Sequence, residues 1–377
     1  MTCKPPRPPA ATARRDPELF RRFPALRSVL PFVPLADGLP TPIEAMSGVA
    51  HAWQVPGLFV KRDDLTSSLY GGNKVRKLEW ILGRALAEGR GAVLTTGAWG
   101  SHHALSTALF ARQIGLRATL VLIPQAPTAH VRDNYLADLG AGARILRCPQ
   151  LAAIPIYQSM AMLRARRAGE GWPLVIPMGG SDATGVLGYV EAAFEIAAQI
   201  QAGAMPIPDY VYVAAGTCGS LAGLALGFQL ASAEVPELAR VTACGVRVVP
   251  AVVTNLRTTR ALVTGAVNLL RRAGADLSPA TTRAARLKML GDQLGRGYGQ
   301  PTPQAEGAQR DAQAHDGLTT ELTYTAKALA GVRAFATASA AARAGVHLYV
   351  HTLNAASIAP LVAAGDPDRL PRELRRA

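Results

Sequence analysis

The chain reads as an α/β protein built on open, mostly parallel twisted sheets flanked by helices. Two observations predict this. Short apolar, β-branched runs have the character of strands buried on both faces. Between most neighbouring runs lie Ala/Leu-rich stretches long enough to cross back over a sheet as a helix. With 377 residues, 49% of them hydrophobic, the chain has material for two domains with substantial cores.

Taken in order, the opening MTCKPPRPPAATARRDPELFRRFPALR is rich in Pro and Arg. It lacks the apolar centre of a signal peptide, and Asp16, Glu18 and the scarcity of Ser argue against a transit peptide. Residues 1–40 are expected to form a flexible leader, and the protein to reside in the cytoplasm. Strands are expected at GAVLTT (91–96), ATLVLIP (118–124), ARILRC (143–148), PLVIPM (173–178), DYVYVAA (209–215), CGVRVV (244–249) and HLYVHT (347–352). Residues 250–318 carry helical pattern, Gly/Pro breaks and little strand signal. No run is long enough to span a bilayer, and no repeat of fixed period is present. The four cysteines (Cys3, Cys148, Cys218, Cys244) are far apart, which gives neither a zinc site nor a disulfide framework and predicts no metal. The net charge of +14 comes mainly from scattered Arg, with no basic run interleaved with aromatics. That describes a solvated surface, not a nucleic-acid face, and no membrane partner is expected.

In open α/β sheets chemistry gathers where strands enter helices. Three such junctions are unusual. In AAGTCGSLAGLALG (214–227), Gly216, Gly219 and Gly223 allow close backbone approach, and Thr217 and Ser220 add hydroxyls. A glycine-rich helix start of this kind seats a phosphate. It has neither the Walker lysine nor the dinucleotide spacing, so a monophosphate fits best, and a plain tight turn is the structural alternative. In TTGAWGSHHALSTALFARQIG (95–115), Ser101 is a natural N-cap, with His102 and His103 beside it at the tip. The context WGSHHA fails the GxSxG pattern of a hydrolase elbow, and adjacent helical histidines point too far apart to share a metal. In IPMGGSDATGVLGYVEAAFEIAAQI (176–200), Ser181 or Asp182 caps a long helix.

A fourth stretch, YGGNKVRKLEW (70–80), starts a helix whose apolar positions Leu78, Ile81, Leu82, Ala85 and Leu86 recur until Gly89. Asn73 is the expected N-cap, which puts Lys74 in the first turn, where the helix dipole disfavours a cation by a few tenths to about 1 kcal/mol. Such a lysine is pushed towards the neutral amine that attacks a carbonyl. Lys77, a turn further on, reads as an ordinary helix lysine with a solvated head. A Schiff-base lysine together with a monophosphate seat is what pyridoxal 5'-phosphate requires.

At this point the sequence resembles the 1-aminocyclopropane-1-carboxylate (ACC) deaminase / D-cysteine desulfhydrase family, pyridoxal-phosphate enzymes of the tryptophan synthase β-like fold, or fold type II. The resemblance runs from about PTPIEAM (41) to HTLNA (355) and is strongest in VKRDDLTSSLYGGNKVRKLEW, GGSDATGVLGYVEAAFEIA, GTCGSLAGLA, GYGQPTP and LTYTAKALAG. It implies that Lys74 carries the cofactor and that Gly216, Thr217, Cys218, Gly219 and Ser220 cradle its phosphate. Thr352 matches the hydroxyl near the pyridine nitrogen. Ser101 matches the active-site serine, and Tyr298 and Tyr324 match two tyrosines of the site wall. Asn73, His102, His103 and Thr325 belong by position to the substrate or cofactor pocket.

Thr325 and Thr352 side with the desulfhydrase branch. The implied reaction is α,β-elimination from a small amino acid such as D-cysteine, giving hydrogen sulfide, pyruvate and ammonia, with Lys74 as the α-proton base. ACC deamination, racemisation and β-replacement are alternatives on the same fold, and a non-catalytic carrier or sensor is the alternative of another class. Several positions depart from the family. His102 stands where the family has an asparagine that hydrogen-bonds the cofactor's ring oxygen; Leu353 and Ala326 replace glycines, and Glu321-Leu322 replaces Asp-Pro. The resemblance also implies a small inserted domain at residues 77–185, a large cofactor-binding domain at 41–76 and 186–377, an active site in the cleft between them, and a homodimer.

Overall fold

All seven apolar runs form strands in the computed structural model, which describes residues 16–278 and 280–376. Three short strands join them: β1 (Ile43–Ala45), β2 (Leu58–Lys61) and β9 (Leu287–Leu290). The others are β3 (Ala92–Ala98), β4 (Arg117–Ile123), β5 (Arg144–Arg147), β6 (Leu174–Ile176), β7 (Tyr210–Ala215), β8 (Thr242–Arg247) and β10 (His347–Val350). They make a six-stranded sheet, β1-β2-β10-β7-β8-β9, and a four-stranded sheet, β5-β4-β3-β6. Every pairing is parallel except that of β1 with β2. β6 is cut to three residues because Pro173 and Pro177, on either side, cannot donate to the ladder. β9 lies within the segment expected to carry little strand; four residues long and half exposed, it leaves no apolar run to read.

Six helices position the site: α1 (Asn73–Ala87), α2 (His102–Gln113), α3 (Ala129–Gly140), α4 (Ala183–Gln201), α5 (Gly219–Ala231) and α6 (Thr325–Ala336). α4 and α5 form the centre of the largest core cluster, with Leu221, Leu224 and Leu226 buried as their spacing predicts. α1 crosses α4 so closely that a Cβ on Gly188 would lie 2.2 Å from the Arg76 carbonyl oxygen. Only glycine admits that approach, and it fixes the height of the lysine-bearing turn of α1 against α4.

The leader departs from expectation. Residues 1–15 lie outside the described residues, but Asp16 to Pro40 docks on the core instead of hanging free. Leu19 and Leu26 are wholly buried, and Phe20 and Phe32 meet Trp80 edge-on at 5.4 and 5.1 Å. The Glu191 carboxylate accepts the backbone N–H groups of Glu18 and Leu19, satisfying donors at the start of helix Glu18–Arg22. Among the described residues no helix is long and apolar enough to cross a membrane.

Candidate active site

α1 begins one residue earlier than its sequence suggests. Gly72 is the N-cap, with φ +87°, and a Cβ on it would lie 2.5 Å from the Thr352 carbonyl oxygen, just beyond β10. Asn73 is therefore not the cap but the first helical residue, and its side chain is free to bridge. Its Nδ2 donates to Ser220 Oγ at 3.0 Å, and its Oδ1 accepts from Lys74 Nζ at 2.6 Å. This bridge ties the head of α1 to the head of α5. Burial pushes the Lys74 amine down to about 8, against an upward pull from the Glu321 charge.

The turn from β7 into α5 is the second part of the site. Cys218 takes a left-handed conformation (φ +65°) as N-cap of α5, turning the backbone so that the helix start faces inward. A Cβ on Gly219 would lie 2.4 Å from Ser181 Oγ and 2.8 Å from Lys77 Nζ, so glycine is needed there. Thr217 Oγ1 and Ser181 Oγ share a hydrogen bond of 2.6 Å. Asp182, not Ser181, caps α4, which leaves the serine hydroxyl to this cluster.

Lys77 corrects its sequence reading. It is 2% exposed, not solvated, and its Nζ donates to Gly179 O (3.1 Å) and Ser181 Oγ (3.2 Å) beside the α5 N-terminus. Burial, reinforced by the neighbouring Lys74 charge, pushes it down to about 7. Lys74 and Lys77 sit three residues apart, hence on one face of the helix, and that spacing was the signal that could have found the second lysine. An amine hydrogen-bonded only to neutral oxygens, set against the open N–H groups of a helix start, fits a phosphate group well.

Ser101 caps α2 as expected, accepting from Ala104 N–H at 3.2 Å. The two histidines after it diverge. His102 Nδ1 lies 2.6 Å from the Tyr70 hydroxyl, the ring packs 5.0 Å from His130, and Nε2 is buried without a hydrogen-bond partner among the described residues. Burial, with the charges of His130 and Lys74, lowers it to about 3. His103 turns to Thr95 Oγ1 on β3 (3.0 Å), and its Nδ1 is likewise unpartnered. Burial and the two lysines hold it well below the ordinary histidine range. Both imidazoles are thus neutral near pH 7.

The far wall comes from Tyr298 and Tyr324, whose hydroxyls meet at 2.6 Å. Tyr324 Cε1 lies 3.7 Å from where a Gly216 Cβ would stand, which brings the pair to the cradle. The Glu321 carboxylate accepts the N–H groups of Thr323, Tyr324 and Thr325 at 2.7, 2.7 and 2.8 Å and so sets the start of α6. Thr325 is buried, and its hydroxyl accepts the Glu321 N–H at 2.8 Å. It supports Tyr324 through that turn. Sequence reasoning missed Lys77, Ser181, Tyr70 and the role of Glu321.

A parallel sheet, a second sheet parallel but for β1, an amine at a helix head and a glycine-rich turn beside it are the features of a pyridoxal-phosphate enzyme of fold type II. The comparisons agree. The model of the family described as "Pyridoxal-phosphate dependent enzyme" matches residues 35–352, and the chain belongs to that family. It is a pyridoxal-phosphate-dependent enzyme. D-cysteine desulfhydrase of Klebsiella pneumoniae (strain 342) is 34% identical over 343 residues, covering 88% of this chain and 94% of that protein. A crystal structure of an ACC deaminase homologue superposes with a TM-score of 0.74 at 29% identity, covering 93% of this chain and 100% of that one. Diaminopropionate ammonia lyase of Escherichia coli, at 16% identity and a TM-score of 0.56, covers 92% of this chain and 89% of its own, and shows the shared fold.

Proposed function

We propose that the protein catalyses α,β-elimination from a small amino acid, with D-cysteine the leading substrate, consuming water and giving hydrogen sulfide, pyruvate and ammonia. The carrying observation is the pair of amines on one face of α1. Among the described residues Lys74 is held only by Asn73, whereas Lys77 is held by Gly179 and Ser181 beside Gly219. Lys74 is the residue that carries the cofactor, and Lys77, Thr217, Ser181 and the backbone of Gly219 and Ser220 bind its phosphate. When bound, pyridoxal phosphate draws electrons from the substrate's α-carbon. Lys74, with its lowered proton affinity, takes the α-proton as general base. Ser101 orients the substrate carboxylate from the head of α2, and the Tyr298–Tyr324 pair faces the leaving group and hands it a proton. Thr352 offers a neutral hydroxyl to the pyridine nitrogen. The likeness to a D-cysteine desulfhydrase supports the choice of substrate.

The large domain (41–76 and 186–377) and the small inserted one (77–185) complete this reading, with the site in the cleft between them, in a cytoplasmic homodimer. In support, β3 to β6 make one sheet and the remaining strands the other, while Ser101 and Tyr324 come from the two sides of that division. A keto-acid release screen over small D- and L-amino acids and ACC tests the reaction. Pyruvate with sulfide from D-cysteine is the expected result. Cofactor-loaded protein that releases keto acid from none of them would refute elimination.

A further inference from the structure

Tyr70 and His102 form a pair that the reaction outlined above does not use. Tyr70 stands four residues before Lys74 and is 1% exposed; its hydroxyl lies 2.6 Å from His102 Nδ1, its one hydrogen-bond contact among the described residues. Asp138, whose charge bears on Tyr70, is buried with neither carboxyl oxygen in a hydrogen bond among the described residues. Two proton arrangements are possible for the pair. If Nδ1–H donated to the phenol oxygen, the Tyr70 proton and the Nε2 lone pair would both be stranded in the interior. If Tyr70 donates to Nδ1, its proton is satisfied and His102 carries its own proton on Nε2. Leaving a buried polar group unpaired is costly, so the second arrangement is favoured. Within the pair, the one group still unpaired is then the Nε2–H.

A donor left unpaired in a site awaits an acceptor. The phenolic oxygen of pyridoxal phosphate is ortho to the formyl group that condenses with a lysine amine, so with the cofactor on Lys74 it would lie close to that amine. His102 follows Ser101 at the tip of α2, and its ring feels the Lys74 charge. Resting on the assignment of Lys74 above, we propose that Tyr70 is a positioning residue which locks His102 as an Nε2–H donor to the ring oxygen of the cofactor. His102 then does what a short amide would do, but only while Tyr70 holds its tautomer. The groups around the pair that carry or accept charge are Lys74, His130, Asp138 and Glu321.

The test is a double-mutant cycle read by spectroscopic titration of the apoprotein with pyridoxal phosphate, alongside nitrogen NMR of His102 in the apoprotein. His102→Phe should weaken cofactor binding about tenfold or more, the scale of a hydrogen bond to a charged oxygen, and Tyr70→Phe about threefold. The Tyr70→Phe effect should vanish in the His102→Phe and His102→Asn backgrounds, because neither replacement has a tautomer to lock. The apoprotein should show the Nε2–H tautomer, and Tyr70→Phe should mix it. Should His102→Phe not fold, the His102→Asn background decides. A Tyr70→Phe penalty that persists unchanged in the His102→Asn background, or an apoprotein holding Nδ1–H, would overturn the proposal. Failure of the wild-type protein to load cofactor on Lys74 would instead defeat the assignment of Lys74, and the NMR arm would still decide the tautomer.

Discussion

Within one turn and a half of α1, three cations are held in two different ways. Arg76 points towards β2 and α4, where its guanidinium meets Asp63 at 2.8 and 3.1 Å and Glu195 at 3.0 Å. Lys61 pairs with Glu195 at 2.5 Å, and Tyr189 donates to Asp63 at 2.7 Å. Two cations and two carboxylates leave that cluster neutral. Burial alone would raise Glu195, but Arg76 and Lys61 overcome it and hold it at about 2. On the opposite side of the helix, Lys74 and Lys77 touch no carboxylate among the described residues, and both amines are depressed towards neutrality. Around them, nitrogens of His102 and His103 lack partners among the described residues. A charge cluster that is complete in itself fixes the helix; one that is incomplete is waiting for a ligand's charge.

Mutations on the two sides should separate activity from stability. Lys74→Ala should abolish covalent loading of the cofactor and lower keto-acid release by about 10⁴-fold or more, while the unfolding midpoint of the cofactor-free protein stays level or rises. An intact midpoint with lost activity is the expected pairing. Arg76→Met should do the reverse, costing about 3–5 kcal/mol of stability in denaturant unfolding because Asp63 and Glu195 lose their shared partner. A variant that unfolds like the parent would break the distinction. Lys77→Met should weaken pyridoxal phosphate binding by about 10- to 100-fold, the scale of one charge-assisted hydrogen bond, with the cofactor still attached at saturation.

The smallest effect is one of pH. In the cofactor-free protein Lys77 sits near 7 and Lys74 near 8, below the ordinary lysine value of 10.5. Above pH 7 the unfolded chain therefore holds protons that the folded one does not, and stability rises with pH by up to about 1.4 kcal/mol per unit per group. Thermal unfolding of the apoprotein should shift upward from pH 7 to pH 9. Bound phosphate, by raising Lys77, should flatten the rise, as should Lys77→Met. A flat apoprotein profile would place both amines in water.

How far the sequence could carry these conclusions depends on range. Strands buried on both faces announce themselves as apolar runs, so seven were readable; β1, β2 and β9, three or four residues long, are held by their neighbours rather than by their own pattern. Lys74, Ser101 and the Gly216–Ser220 turn were legible because each belongs to a local motif at a helix start. Lys77 was not, because its burial is created by the Gly179–Ser181 turn a hundred residues away. The docking of Leu19, Phe20 and Leu26 was hidden inside a Pro/Arg-rich composition. Asn73 was misread as a cap because Gly72, in a conformation only glycine takes easily, does that work.

The proposal stands on the amine that Asn73 holds at the head of α1, and not its neighbour one turn on, carrying the cofactor. Borohydride reduction of the pyridoxal-phosphate-loaded protein, followed by proteolysis and mass spectrometry, tests it directly. The account predicts a pyridoxyl adduct on Lys74, with Lys77 unmodified. An adduct on Lys77, or loading that survives Lys74→Ala, would contradict it.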